Sequence, residues 1–178
     1  KENSLDWGFA DEGDADRLFA VDENGNVGDG DRIMYVCGKY LMEQGRLKDN
    51  TIVTTVMSNL GLYKACDKIG MKYEQTAVGD KYVYENMMKN GFVLGGEQSG
   101  HIIFLDYNTT GDGLLTAVQL LSILKTRQQP LSELAGLMTR YPQILKNVTV
   151  QTKSGWEENS LIMASIAAGE EELGDEGR

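Results

Sequence analysis

The chain has 178 residues, of which 41% are hydrophobic and 25% are charged, a composition typical of a folded globular protein. Its 27 acidic residues outnumber its 17 basic ones, and the net charge of −10 argues against a nucleic-acid-binding surface. No apolar stretch approaches the roughly 18 residues of a membrane-spanning helix, and residues 1–4 begin no signal-peptide pattern. We therefore expect neither a nucleic-acid nor a membrane partner.

The chain contains two cysteines, Cys37 and Cys66. Both fall within patterns typical of amphipathic helices, which predicts buried free thiols rather than a disulfide. Free thiols are characteristic of a reducing compartment, so the sequence favours the cytoplasm.

The first half of the chain alternates predicted strands and helices. Residues 18–21 predict a strand that enters a hairpin turn at 22–26. The Asp-Gly-Asp run at 29–31 predicts the start of a helix that ends at Gly45. Residues 51–56 are β-branched and predict a strand, after which Ser58 or Asn59 caps a helix that stops at Gly70.

The second half continues this alternation. The predicted elements are first a strand at 72–78, a helix from 79–80 to 90–91, and strands at 92–94 and 101–105 around a glycine-rich hairpin tip. The longest predicted helix runs from 113 to Pro130, with Leu115, Val118, Leu121 and Leu124 at core spacing. A short helix at 134–138, a strand at 145–150 and a helix at 161–168 follow. Such alternation predicts an α/β fold. The Tyr141-Pro142 pair predicts a domain boundary, because proline ends regular elements.

The run Asp-Glu-Gly-Asp-Ala-Asp-Arg at residues 11–17 carries the strongest chemical signal. Alternate residues of an extended or looped backbone point the same way, so Glu12, Asp14 and Asp16 can converge on one hard cation. Arg17 then remains available for a phosphate group. The pattern therefore predicts Mg²⁺ beside a phosphorylated substrate.

Three other interpretations of this acidic loop stay open. Carboxylates and glycine also favour a solvated turn. A calcium loop would place acids at its first, third and fifth positions and an acid at Glu23, but its sixth position requires glycine and is Arg17 here. An Asp-x-Asp phosphatase nucleophile would use Asp14 and Asp16, although the flanking residues differ from that pattern.

A second candidate site lies at residues 95–101, Gly-Gly-Glu-Gln-Ser-Gly-His. Glycines alone would explain a flexible hairpin. Glu97 as an acceptor and Ser99 as a donor or acceptor are nevertheless suited to a pair of sugar hydroxyls. His101 is as well explained by a structural role as by a functional one, and Asp80 with Lys81 is equally consistent with helix capping and with a cleft lining.

Several segments together resemble the α-D-phosphohexomutase superfamily, and within it the phosphoglucosamine mutase branch. They are residues 13–17 (GDADR), 55–61 (TVMSNLG), 76–83 (TAVGDKYV), 95–101 (GGEQSGH), 106–113 (DYNTTGDG) and 130–135 (PLSELA). The acidic loop marks the superfamily, whereas Glu97-Gln98-Ser99 and the Thr-Ala-Val-Gly-Asp segment point to the glucosamine branch.

The resemblance implies part of a four-domain enzyme. Residues 1–27 would end a second domain with its metal loop, 28–142 would form a third, sugar-binding domain, and 143–178 would begin a fourth. The third domain would hold a mixed sheet with helices on both faces, flanked by partial neighbouring domains. The catalytic phosphoserine loop would precede residue 1, and a phosphate-clamping loop would follow residue 178, so the chain alone would be inactive.

The resemblance also implies residue roles. Glu12, Asp14 and Asp16 would ligate Mg²⁺, with Arg17 addressing a phosphate. A second set would bind the phosphosugar: Glu97, Ser99, His101, Asp80 and Lys81. The family normally has aspartate where this chain has Glu12, so either Glu12 or Asp11 would complete the metal site.

The implied activity of the parent enzyme is interconversion of glucosamine 6-phosphate and glucosamine 1-phosphate for UDP-N-acetylglucosamine synthesis, through a phosphoserine and a bisphosphate intermediate. Its partners would be the phosphosugar and the missing domains of the same enzyme. Two alternatives remain: a phosphomannomutase or phosphoglucomutase, and a non-catalytic module that binds a sugar phosphate or a cation.

Overall fold

A computed structural model describes residues 5–152 and 154–177 of the chain. The chain separates into two compact units, the first ending at Tyr141 and the second beginning at Pro142. Residues 1–4, which belong to the predicted metal-loop segment, lie outside the described residues.

The first unit begins with a small antiparallel sheet of order β1-β2-β3. Its strands are β1 (Trp7–Asp11), β2 (Leu18–Asp22) and β3 (Val27–Gly28). The predicted strand and hairpin turn at 18–26 are confirmed, since Asp22 Oδ1 accepts the N–H groups of Asn24 and Asn26 at 2.9 and 2.8 Å. Strand β1 is not predicted from the sequence, yet it turns the acidic loop into the connection of a β-hairpin.

The main sheet has the order β5-β4-β6-β7. Its strands are β4 (Thr51–Thr55), β5 (Lys72–Thr76), β6 (Leu94–Gly96) and β7 (Ile102–Phe104). Strand β4 is parallel to β5 and β6, whereas β7 is antiparallel to β6. The sheet is therefore mixed, as expected.

The helices of the first unit alternate with these strands. They are α1 (Gly30–Glu43), α2 (Leu60–Ile69), α3 (Asp80–Asn90), α4 (Gly113–Arg127) and α5 (Leu131–Gly136), with a 3₁₀ turn at Lys48–Asn50. Asp29 caps α1, and Asn59 rather than Ser58 caps α2. Both residues accept N–H groups that the first helical turn leaves unpaired.

Helices cover both faces of the main sheet. Ile52 of β4 packs in a large core with residues of α1, α2 and α4. The next residue, Val53, packs on the opposite face with Val83 and Met87 of α3. This alternation follows from the two-residue period of a strand, and it confirms the α/β fold with helices on both faces.

Several predicted boundaries are wrong by a few residues. Strand β5 ends at Thr76 instead of residue 78, and the short helix lies at Leu131–Gly136 instead of 134–138. Gly95 and Gly96 belong to β6 rather than to the hairpin tip. Gly95 is buried, and a Cβ there would lie 2.6 Å from the sulfur of Met87, so its glycine serves packing instead of turn formation.

One residue of the predicted α4 core face is also misplaced. Val118 is 53% exposed, although Leu120 and Leu124 of the same helix are buried. The buried face of α4 includes Thr116 and Ala117 instead, because small side chains allow α4 to approach the strands closely.

The second unit contains helix α6 (Ser160–Leu173), which confirms the helix predicted at 161–168, and a 3₁₀ turn at Gly174–Glu176. The strand predicted at 145–150 is wrong: this segment has no regular secondary structure. Leu145 and Val148 are 72% and 76% exposed. A strand requires a partner strand for its backbone hydrogen bonds, and no strand of the described chain pairs with these residues.

Cys37 and Cys66 are both buried and free, as expected. Burial raises the pKa of each thiol to about 12, so both stay protonated and unreactive at neutral pH. Among the described residues, no helix has the combination of length and apolar character needed to cross a bilayer.

Candidate functional site

The acidic loop at residues 12–17 has a well-defined backbone. The N–H of Ala15 donates to the carbonyl of Glu12 at 2.9 Å, and the carbonyl of Ala15 accepts the N–H of Gly113 at 2.8 Å. Ala15 has a φ of +58°, a left-handed conformation that costs a non-glycine residue about 1–2 kcal/mol. The loop therefore holds a strained residue between its acidic side chains, a feature common at functional sites.

This conformation brings three carboxylates together. Glu12, Asp14 and Asp16 each offer an oxygen, and these oxygens all lie within 4.8 Å of one another. Glu12 and Asp14 are exposed, whereas the side chain of Asp16 is 29% exposed. Glu12 belongs to this cluster. Oδ1 of Asp11 instead lies beside Gly113, 2.6 Å from the position that a Cβ on this glycine would occupy.

The cluster fits a hard cation. Oδ1 of Asp16 is buried and has no hydrogen-bond partner within residues 5–152 and 154–177. A buried carboxylate oxygen without a donor is costly unless a cation approaches it. Carboxylate oxygens are the donors that Mg²⁺ and Ca²⁺ prefer, so the donor set and the unpaired oxygen agree.

Arg17 closes the loop. Its Nη1 lies 3.1 Å from Oε2 of Glu12, and its Nε lies 3.8 Å from Oδ2 of Asp16. The side chain is 39% exposed. Arg17 thus partly neutralises the cluster and remains accessible to an anion from solvent.

His101 is buried directly behind Asp16. The N–H of Gly111 donates to Nε2 of His101 at 3.0 Å, and Nδ1 lies 3.1 Å from Oδ2 of Asp16. Because a backbone N–H can only donate, Nε2 accepts, and the proton of the neutral ring is assigned to Nδ1, which donates to Asp16. Both ring nitrogens are therefore engaged within the protein.

The pKa of Asp16 reflects these surroundings. Burial by itself raises it, but the hydrogen bond from His101 and the nearby positive charge of Arg17 lower it below its ordinary value. Asp16 is thus held in the anionic form that binds a cation.

The second candidate loop connects β6 to β7. Oε1 of Glu97 accepts the N–H of Gly79 at 3.0 Å, and the hydroxyl of Ser99 donates to Oε2 at 3.4 Å. Gly79 has a φ of +130°, which side chains other than glycine rarely adopt. Glycine at position 79 therefore allows the start of α3 to reach Glu97.

Asp80 and Lys81 lie at the rim of this arrangement. Asp80 Oδ1 accepts the N–H of Lys81 at 2.8 Å, and Asp80 Oδ2 lies 4.0 Å from Nε2 of His101. Lys81 is 73% exposed and lies 3.7 Å from Glu85, one helical turn away. Asp80 thus lies near His101, which itself contacts the acidic loop, whereas Lys81 lies on the exposed surface of α3.

The two loops lie side by side. The N–H of Leu18 donates to the carbonyl of Gly100 at 3.1 Å, and Arg17 and His101 form an antiparallel bridge. Residues from four parts of the sequence therefore meet at the edge where parallel strands β5 and β6 end, the usual location of binding sites in α/β sheets.

Sequence reasoning missed the role of Gly111 and Gly113, which it treated only as the start of α4. A Cβ on Gly111 would lie 2.5 Å from the ring of His101, and one on Gly113 would lie 2.9 Å from the carbonyl of Arg17. The signal available in the sequence was the pair of glycines that flank Asp112, the residue that caps α4, because such a pair indicates a close approach of the backbone to other groups. They let the start of α4 support both His101 and the acidic loop.

Residues 29–141 match the family model described as phosphoglucomutase/phosphomannomutase, alpha/beta/alpha domain III. The chain belongs to this family. The Glu97 loop lies inside the matched region, whereas the acidic loop precedes it.

Individual members of the family extend this result. The chain is 62% identical over its full length to a phosphoglucosamine mutase from Anoxybacillus flavithermus and 58% identical to one from Bacillus subtilis. It spans 40% of the length of each of these curated relatives. The crystal structure of a phosphoglucomutase/phosphomannomutase family protein from Burkholderia thailandensis is 30% identical and matches with a TM-score of 0.66, covering 77% of this chain and 30% of that one.

Proposed function

We propose that this chain is the metal-binding and sugar-binding portion of a phosphoglucosamine mutase that interconverts glucosamine 6-phosphate and glucosamine 1-phosphate. The observation that carries the proposal is the pairing of Leu18 and Arg17 with Gly100 and His101. This pairing places a carboxylate cluster beside a loop suited to sugar hydroxyls. High identity to curated phosphoglucosamine mutases supports the glucosamine preference.

Within this proposal Glu12, Asp14 and Asp16 hold Mg²⁺, which supplies charge stabilisation for a phosphoryl group in transfer. His101 orients Asp16 by donating from Nδ1, in the manner of an outer-shell partner of a metal ligand. We therefore assign His101 a positioning role in place of the predicted substrate contact. Arg17 binds a phosphate oxygen of the substrate.

Glu97 and Ser99 hold sugar hydroxyls in this proposal. Glu97 keeps its orientation through the N–H of Gly79, which leaves lone pairs on both carboxylate oxygens for a ligand. Asp80 and Lys81 line the rim and adjust the charge of the cleft. Because the sugar must be held with either end facing the phosphoryl donor, both loops bind in both orientations.

We further propose that residues 1–27, 28–142 and 143–178 belong to three successive domains of the parent enzyme. The chain alone is inactive because the phosphoserine loop and the fourth domain's phosphate clamp reside in the remaining part of the parent. The buried free thiols favour a cytoplasmic location.

The test uses the full-length parent enzyme and the variant Glu97→Gln. Glutamine retains an acceptor for Gly79 but loses the carboxylate charge, so we expect a higher KM for glucosamine 6-phosphate and a lower kcat. The matched control is Glu74→Gln, since Glu74 is exposed on β5, and its kinetics should be unchanged.

The same assay separates the alternatives. Faster turnover of mannose or glucose phosphates than of glucosamine 6-phosphate would favour a phosphomannomutase or phosphoglucomutase. Binding of phosphosugars without turnover of any would favour a non-catalytic module, and unchanged kinetics for Glu97→Gln would remove Glu97 from the site.

A further inference from the structure

Asn59 holds the last residue of the first unit. Its Oδ1 accepts the N–H of Gly61 at 3.0 Å and the N–H of Tyr141 at 2.9 Å, while its Nδ2 donates to the carbonyl of Tyr141 at 2.9 Å. The side-chain amide thus pairs with both backbone groups of Tyr141 and also caps α2. Asn59 is 2% exposed, so solvent competes little for these bonds.

Two further contacts of α2 fix the same segment. A Cβ on Gly61 would overlap the carbonyl oxygen of Thr139, so only glycine permits this approach. Nζ of Lys64 lies 5.3 Å from the centre of the Tyr141 ring, a cation–π distance. We call Asn59, Gly61 and Lys64 together with residues 139–141 the exit clamp.

The position of the exit clamp is informative. Tyr141 is the last residue of the first unit, and Pro142 follows it. The residue before a proline disfavours helical conformations and is biased toward extended ones. The clamp therefore fixes both the location and the backbone direction at which the chain leaves the first unit.

Asp31 connects the exit clamp to the Glu97 loop. Its Oδ2 accepts the N–H of Asn59 at 2.7 Å, and it is fully buried in the first turn of α1. The preceding residue, Gly30, donates its N–H to the carbonyl of Gln98 at 3.0 Å. A Cβ on Gly30 would overlap the carbonyl of Glu97, so α1 begins in direct contact with the loop.

The side chains of this region interact as well. Interaction with the side chains of Ser58 and Gln98 favours the charged form of Asp31. Asp31 therefore interacts both with Gln98 of the Glu97 loop and with Asn59 of the exit clamp. Loss of the Asn59 bond would deprive the buried Oδ2 of Asp31 of this donor, which costs about 1–3 kcal/mol.

We propose that Asp31 and Asn59 form a buried relay that couples the position of residues 97–99 to the backbone of Tyr141, where the chain leaves the first unit. A displacement of the Glu97 loop moves the start of α1, changes the bond from Asp31 to Asn59, and alters the hold of Asn59 on Tyr141. Asp31 and Asn59 are positioning residues in this scheme. The relay depends on no ligand. The relay can therefore be disproved while the proposed function stands, and the proposed function can be disproved while the relay stands.

The test is amide NMR and hydrogen exchange on the whole 178-residue chain with the variant Gln98→Ala. This change removes the Gln98 side chain, which interacts with Asp31, so we expect chemical-shift changes at the amides of Asn59 and Tyr141. Asn59→Ala should raise the exchange rate of the Tyr141 amide about tenfold or more, as loss of one buried hydrogen bond implies. The double variant should show no additional effect of Gln98→Ala at Tyr141.

The matched control is Asn90→Ala, since Asn90 is a partly buried asparagine that bonds within α3 and contacts no part of the relay. It should leave Tyr141 unchanged. If Asn59→Ala fails to fold, Asn59→Ser keeps an oxygen that can cap α2 but loses the amide that pairs with Tyr141, and the same comparison applies. The proposal is overturned if Gln98→Ala leaves the chemical shift of the Tyr141 amide unchanged, or if Asn90→Ala changes it equally.

Discussion

Two aspartates of the first unit, Asp16 and Asp31, have opposite electrostatic surroundings. Asp16 receives a hydrogen bond from His101 and lies near Arg17, and its pKa is lowered despite partial burial. Asp31 is buried against the N–H of Asn59 with the charge of Asp29 nearby, and burial raises its pKa to about 6. For Asp16 the donor and the positive neighbour outweigh burial, whereas for Asp31 burial outweighs its donors.

This difference separates a binding carboxylate from a connecting one. Each of the two carboxylates has one buried oxygen without a hydrogen-bond partner among the described residues, but Asp16 lies with Glu12 and Asp14 in a cluster suited to a cation. Asp31 lies beneath the surface and joins α1, α2 and the Glu97 loop. In the proposed site Asp16 is a ligand of the cation, whereas Asp31 fixes the relative placement of the elements that it joins.

The largest expected effect concerns Asp31. Its pKa is 3.8 in the unfolded reference and about 6 in the fold. The raised value means that Asp31 stabilises the fold below pH 3.8 relative to higher pH, and that this contribution is lost as pH rises through 6. At about 1.4 kcal/mol per pKa unit the change is up to about 3 kcal/mol.

Urea unfolding of the chain and of Asp31→Asn between pH 4 and pH 7 measures this effect. Relative to the variant, the unmodified chain should lose free energy of unfolding as pH rises. Asp49→Asn, at an exposed position, is the control. Its free energy of unfolding should depend on pH in the same way as that of the unmodified chain. Parallel profiles for Asp31→Asn would mean that Asp31 is not buried as described.

A second, smaller effect tests the Asp16 side of the comparison. His101→Ala removes the acceptor of the Gly111 N–H and the donor to Asp16. An unpaired buried group of this kind costs about 1–3 kcal/mol, so we expect a loss of about 2 kcal/mol in urea unfolding at pH 7. A loss below about 0.5 kcal/mol, the level of ordinary surface substitutions, would contradict the buried geometry.

The smallest effect comes from Mg²⁺. A ligand at ten times its Kd stabilises the fold by about 1.4 kcal/mol. We expect weak Mg²⁺ binding, because part of the proposed site resides outside this chain. Calorimetric titration measures the binding, and urea unfolding with Mg²⁺ measures the gain in the free energy of unfolding. The gain should appear in the unmodified chain and in Asp31→Asn but not in Asp16→Asn. KCl at equal ionic strength is the salt control. Tight binding, or a gain that survives Asp16→Asn, would contradict the assignment.

Much of the fold follows from local pattern. The hairpin turn at Asp22, the helices that begin after Asp29 and Asn59, and the alternation of strands and helices are all legible because capping residues and apolar periodicity act over a few residues. The boundaries that failed depend on distant contacts. Strand β5 ends where its pairing with β4 ends. The apolar pattern at 145–150 anticipates a partner strand, and no strand of the described chain pairs with it.

The candidate site shows the same division. The acids of the loop at 12–17 and the polar residues of the loop at 97–101 are visible in the sequence, because each set lies within seven residues. Their adjacency is not visible, since it arises from the pairing of Leu18 with Gly100, 82 positions apart. The roles of Gly111 and Asp31 are likewise set by contacts that sequence spacing does not encode.

The sequence by itself determined the residue types of the two loops, the α/β alternation and the free cysteines, because propensity, capping and hydrophobic period are local properties. Only the tertiary structure decided that His101 faces Asp16 with both nitrogens engaged, that Glu12 joins the carboxylate cluster, and that Asn59 holds Tyr141. Those outcomes depend on which backbone groups remain unpaired when distant segments meet, and burial makes each of them costly to leave unsatisfied.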